Sequence, residues 1–179
     1  MTDSLHLGPD AQVNHAIASL RSLSVDMPLT DGARIAPGVF LSVDSETGGQ
    51  VAGNVVTGGD GLLRLSYTID KRPRWLALHV AMGGVDLSQA SVFGVVCKSR
   101  APEAATFRIC LRSATADGFT DTFLPKHVVA FAADSTHLDL LRLEGHPDVP
   151  ARAAWRELIL FFQTTSATFD IRDLRVFIV

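Results

Sequence analysis

Residues Trp155-Arg-Glu-Leu-Ile-Leu-Phe-Phe-Gln-Thr-Thr-Ser-Ala-Thr-Phe-Asp-Ile-Arg-Asp-Leu-Arg-Val-Phe-Ile-Val179 decide the fold. They read as two strands joined by a polar turn, a closing hairpin whose second strand pairs deep within a sheet. Side chains alternate across a strand with period two. Phe169 and Ile171 therefore share one face, and Leu174, Val176 and Ile178 continue an apolar face one residue out of phase. One extra residue near Arg172-Asp173 restores the register, so a β-bulge is expected there, bending the strand as it passes from sheet to sheet.

Period two persists back to Gly38. Strands are expected over 38–43, 51–56, 62–69, 75–82, 91–98, 106–113, 119–124, 127–131 and 137–143, separated by turns such as Ser45-Glu-Thr-Gly-Gly49 and Thr57-Gly-Gly-Asp-Gly61. Asp117-Gly118 stands in hairpin position. The run over 75–82 is apolar nearly throughout, as for a central strand covered on both faces. Only residues 9–24 read as a helix. Asp10 is its candidate N-cap, and Val13, Ala16, Ile17, Leu20 and Leu23 form one apolar stripe. That stripe needs cover, either from the sandwich or from a second subunit, which would make a homo-oligomer through the helix. Roughly ten or eleven short strands, without crossover helices, predict an all-β fold: a two-sheet antiparallel β-sandwich with a short N-terminal helix. The expected division is a helical segment over 1–30 and a β-sandwich domain over 31–179.

At 179 residues, 47% hydrophobic and 20% charged, the chain suits one globular domain rather than disorder. A net charge of −3 argues against a nucleic-acid partner. No apolar run of about 18 residues predicts a membrane span. The start, Met-Thr-Asp-Ser-Leu-His-Leu-Gly-Pro-Asp10, lacks the basic end and apolar centre of a signal peptide. A cytoplasmic protein is expected on that ground; export by another route, or a trimmed chain, is the alternative. Cys97 and Cys110 are too few for a disulfide scaffold and are expected as buried free thiols, with a cross-strand disulfide as the alternative.

No catalytic constellation emerges. There is no Gly-x-Ser-x-Gly, no phosphate loop and no dinucleotide fingerprint. Glu46, Glu103, Glu144 and Glu157 form no acid–base pair, and His127, His137 and His146 lack ligand spacing. His79 reads as a satisfied histidine in the core or on a sheet face. A non-enzyme is expected. Two features suggest binding. Arg108 and Arg112 share one face of a strand, with Asp121 expected on its neighbour. Guanidinium forks hold carboxylates bidentately and suit an acidic sugar, although the same residues also suit a solvated face of cross-strand ion pairs. Trp75 follows the basic loop Lys71-Arg-Pro-Arg74 and offers either a stacking platform or a cap on the core.

The tryptophan-led strand, the turn and the terminal Thr-Phe-Asp-Ile-Arg-Asp-Leu-Arg-Val (168–176) resemble the closing hairpin of galactose-binding-domain-like jelly rolls, which include several carbohydrate-binding module families. In these the last strand commonly reads φ-x-Ile-x-x-Leu-x-φ, φ being apolar, and Ile171 and Leu174 occupy those places. The match is close over 155–179 and looser, in strand spacing, over 36–154. The resemblance implies a jelly-roll sandwich that binds without catalysis, usually a sugar, through end loops or one sheet face. It also implies, for many members, a structural calcium ion. Asp44, Glu46 and Asp170 are the candidates, if the first and last strands adjoin, since hard oxygen ligands suit Ca²⁺. An aromatic content of only 7% and the helix depart from the usual module. The expected function is non-catalytic binding of a carbohydrate, with an acidic or extracellular polysaccharide among the candidates, at Trp75, Arg108, Arg112 and Asp121. A protein-interaction or assembly domain is the alternative.

Overall fold

A computed structural model describes residues 8–179. The first seven residues, on which the reading of the N-terminus as no signal peptide rests, lie outside the described residues. Helix α1 (Ala11–Ser19) passes through a 3₁₀ turn (Leu20–Ser22) into β1 (Asp26–Pro28), β2 (Arg34–Ala36), β3 (Val39–Val43), β4 (Gln50–Val56), β5 (Leu63–Lys71) and β6 (Leu76–Gly83). Then follow β7 (Val92–Arg100), β8 (Ala105–Thr115), β9 (Gly118–Ala130), β10 (Ser135–Arg142), β11 (Arg156–Phe162) and β12 (Ala167–Ile178). Two six-stranded antiparallel sheets result: sheet A in the order β1-β4-β5-β12-β7-β10 and sheet B in the order β2-β3-β6-β11-β8-β9.

Alternation builds the core between them. Leu41, Leu78, Leu160 and Ile109 from sheet B and Leu65, Phe169, Val176 and Val95 from sheet A are all buried in one cluster. Phe107 and Phe162 of sheet B meet Phe169 of sheet A with ring centroids 5.7 and 5.1 Å away. Such tilted and edge contacts add to the area the rings bury.

The terminal stretch forms two strands, but not a hairpin. β11 lies between β6 and β8 in sheet B, and β12 lies between β5 and β7 in sheet A. The turn between them crosses the sandwich. Apolar alternation cannot separate these cases, because strands paired in one sheet and strands facing across a core both present one apolar side. The bulge is where the phase slip puts it: Ile171 pairs with Ser99 and Asp173 with Lys98, leaving Arg172 unmatched. It does not carry the strand between sheets, since β12 stays in sheet A. Its effect is to keep Phe169, Ile171, Leu174, Val176 and Ile178 all buried.

The helix stripe is covered by its own sandwich. Val13, Ala16, Ile17 and Leu20 belong to the main core. β5 leaves β12 after Ile171, and there the helix takes over: the Val176 N–H donates to Asn14 Oδ1 at 3.0 Å, and Asn14 Nδ2 donates to the Val176 carbonyl at 2.8 Å. β1, from within the first thirty residues, joins sheet A. Cys97 and Cys110 are buried and free. Burial pushes both thiols up to about 12, with Asp173 adding to the effect at Cys97 and Asp121 at Cys110.

Candidate binding site on the outer face of sheet B

The side of sheet B turned away from the core is assembled in rows by strand register. Phe40, His79, Ile159, Cys110 and Phe123 follow one another across β3, β6, β11, β8 and β9. One row further, Ser42, Ala77, Phe161, Arg108 and His127 do the same. In the other direction Ala81, Glu157, Arg112 and Asp121 align. Ala77, Cys110 and Ile159 are fully buried here, under the partly buried rings of Phe123 and Phe161. Sheet B therefore has an apolar layer outside as well as inside, although among the described residues no strand or helix covers it. Above that layer lies a groove of about 540 Å³ lined by Trp75, Arg108, Arg112, Phe119, Asp121, Phe123 and Phe161, among others.

All four binding candidates read from the sequence, Trp75, Arg108, Arg112 and Asp121, line this groove. β8 and β9 bring three of them together. The hairpin loop is Ala116-Asp117, one residue earlier than the expected Asp117-Gly118, and Gly118 opens β9 at φ 140°, a conformation that favours glycine. That register sets Asp121 opposite Arg112, and the two form a bidentate pair at 2.6 and 2.7 Å. Burial works against the Arg112 charge, and the Asp121 carboxylate more than offsets it, so Arg112 is held above the usual arginine value. The expectation of two arginines free to grip one ligand thus changes, because Arg112 already has its carboxylate.

Three guanidinium groups sit over aromatic rings of the groove. Arg108 lies 3.8 Å from the Phe123 centroid, Arg112 lies 3.9 Å from that of Phe119, and Arg74 lies 4.6 Å from that of Trp75. Cations over ring faces are attracted by the ring quadrupole. Trp75 is fixed from its other end, since its Nε1 donates to Ser42 Oγ at 3.1 Å. His79 stacks on Phe40 at 4.5 Å and meets Glu157 Oε2 through Nδ1 at 2.8 Å, which makes it a satisfied sheet-face histidine.

The opposite face of the sandwich differs. On sheet A, Asp170 is bound by Arg64 at 2.6 and 3.2 Å and by Arg100 at 3.1 Å, and the hollow beside it contains no aromatic side chain.

Comparison with solved structures gives the same architecture. A family 4 carbohydrate-binding module matches with a TM-score of 0.59 over 86% of this chain and 95% of its own, at 14% identity. A family 11 module of the cellulase Lic26A-Cel5E of Clostridium thermocellum matches with a TM-score of 0.56 over 88% and 96%, at 12% identity. The CBM22-1 xylan-binding domain of Paenibacillus barcinonensis Xyn10C matches with a TM-score of 0.52 over 87% and 93%, at 10% identity. The fold is that of carbohydrate-binding modules. Neither a protein-family model nor a curated protein matches the sequence. At these identities the likeness to carbohydrate-binding modules is one of backbone.

The calcium candidates do not converge. Asp44 follows β3 in sheet B, whereas Asp170 lies on β12 in sheet A. Asp44 accepts from Arg74 Nε at 3.0 Å, Arg74 Nη2 at 3.1 Å and the Arg74 backbone N–H at 2.9 Å, and also from the Thr47 hydroxyl. Glu46 meets the same guanidinium at 3.3 Å. Arginines thus stand where a cation would, and among the described residues no group of three His, Cys, Asp or Glu is placed to hold a metal. These residues do not fit a calcium shell.

Several groove residues went unread in the sequence: Phe119, Phe123 and Phe161 as wall, and Arg74 over Trp75. Phe161 carried a signal. It is out of phase with Leu158, Leu160 and Phe162, as is Ile159. Two large apolar residues on the outward parity of one strand mark an outer face that is not simply solvated.

Proposed function

We propose that this protein is a non-catalytic carbohydrate-binding module whose site is the groove on the outer face of sheet B. One observation carries the proposal: the groove joins flat rings to fork-shaped hydrogen-bond donors on a rigid sheet. Pyranose rings present apolar C–H faces to aromatics and hydroxyls to donors, and a sheet holds both without loop ordering on binding. The fold shared with carbohydrate-binding modules supports the same reading. A binding role without turnover is supported by the side chains present, because Asp121 is tied to Arg112 and Glu157 to His79, leaving no free carboxylate pair in the groove.

Affinity electrophoresis through gels holding soluble neutral and acidic polysaccharides tests it. The wild-type chain is expected to be retarded by at least one glycan. Trp75→Ala and Phe161→Ala are each expected to abolish that retardation while leaving the circular dichroism spectrum unchanged. No retardation by any glycan overturns the proposal, as does retardation that both variants retain.

A further inference from the structure

Every arginine of the groove except one has a carboxylate. Arg74 is held by Asp44 and Glu46, and Arg112 by Asp121. Arg108 makes no ion pair and donates no hydrogen bond to any described residue. Its Nε is shut off from solvent with no acceptor. A guanidinium cannot be neutralised by losing its proton, so Arg108 keeps its full charge with no carboxylate paired to it. A guanidinium charge with no carboxylate beside it, half-buried on a floor of fully buried apolar residues, gains from an anion that can reach it.

The geometry around Arg108 shows how that something would be met. The group sits over Phe123, which orders it before any ligand comes. Nε is enclosed, the two terminal nitrogens are not, and the residue lines the groove. Two parallel N–H donors on a planar cation match the two oxygens of a carboxylate. Next to it across the strands stand Phe161 on β11 and His127 on β9. A ligand that stacks on Phe161 thus carries its neighbouring substituent over Arg108. A wholly neutral glycan would leave the orphan charge uncompensated, and the rings of Phe119, Phe123 and Trp75 each already have a guanidinium over one face.

Building on the proposed sugar-binding role, we propose that the groove takes a glycan bearing uronic acid residues, and that Arg108 is the specificity-determining residue that receives the sugar carboxylate. Arg112, committed to Asp121, positions that carboxyl group's surroundings rather than binding it.

Isothermal titration with oligosaccharides of polygalacturonate, alginate and glucuronoxylan, each beside its carboxyl-reduced neutral counterpart, tests the inference on the full chain. At least one acidic oligosaccharide should bind, and its reduced form should bind about tenfold or more weakly, the size of a lost charge-assisted pair. Arg108→Gln should bind the acidic and reduced forms alike. Arg108→Lys, keeping charge without the fork, should recover only part of the difference. Arg64→Gln on sheet A, which removes one positive charge elsewhere, should change nothing. Equal binding of acidic and reduced forms overturns the carboxylate inference and leaves sugar binding standing. Binding of none of the six overturns the inference; the gel panel above then decides separately whether any sugar binds. Polyglutamate binding as tightly as the uronates overturns the inference in favour of an acidic polypeptide.

Discussion

Arg156 is a fully buried charged residue, and it shows how a single side chain organises several loops. It donates to the carbonyls of Val85 at 2.9 Å and Ala151 at 3.1 Å, to that of Pro150, and to Ser113 Oγ at 2.5 Å. Burial pushes its pKa down, but the guanidinium stays charged, and its donors meet acceptors that would otherwise be empty. Arg156→Met should therefore lower the unfolding free energy by about 3 kcal/mol, read from the urea midpoint, because several buried acceptors lose their donor together. Asp44 sets the pH response. The Arg74 guanidinium, against the cost of burial, holds its carboxyl far below the usual range; at Asp170 burial pushes up, and Arg64 and Arg100 more than offset it, so that carboxyl too is lowered. A carboxyl with a lowered folded pKa contributes its full stability above its unfolded value of about 4 and loses it as the pH falls through the folded one. Burial lowers the His137 pKa, so the urea midpoint should begin to decline below about pH 6.5, where the unfolded histidine gains a proton, and should fall further below about pH 5 as the carboxylates titrate. Asp44→Asn should be weaker at neutral pH and show a shallower acid decline. Curves that run parallel for the two proteins would remove Asp44 from this role.

At the scale of elements, α1 and β12 are the most informative pair. Asn14 supplies the donor and acceptor that β5 no longer gives to Val176. Asn14→Ala should lower stability by about 1–2 kcal/mol, with faster hydrogen exchange at the Val176 amide as its local signature. The bulge makes a sharper prediction. Deleting Arg172 turns the slipped pattern into unbroken alternation, so the five apolar side chains of β12 keep facing inward; the deletion should fold, with an unchanged near-ultraviolet circular dichroism spectrum. Inserting an alanine after Leu174 instead turns Val176 and Ile178 outward and should unfold the protein. Period two made most strands readable, and the bulge with them. It missed β1 and β2, each three residues long and too short to show a period. It also divided β9 at Pro125. In the structure Leu124, Pro125 and Lys126 stand opposite the single residue Ile109, so the proline falls where the ladder is already broken, and the Lys126 N–H is taken by Asp139. No local pattern marks a tertiary acceptor of that sort.

The whole molecule is a sandwich with unlike outer faces. Sheet A ends in arginine–aspartate pairs, whereas sheet B adds an apolar layer, rings and an unpaired Arg108. The parity of Arg108 and Arg112, and the neighbourly place of Asp121, were legible because alternation on one hairpin fixes them. That Arg112 would be consumed by Asp121 while Arg108 stayed free was not, since it depends on side-chain reach. The presence of Trp75 and Phe161 in the same groove was not legible either, because it depends on which strands β6 and β11 adjoin. The decisive experiment is a titration of the ¹⁵N-labelled protein with the glycan that retards it, followed by amide chemical shifts. If the groove is the site, the changes concentrate on the outward residues of β3, β6, β11, β8 and β9, centred on Phe161 and Arg108, with sheet A unmoved. Changes centred on sheet A, or on α1, would place the ligand elsewhere and refute it.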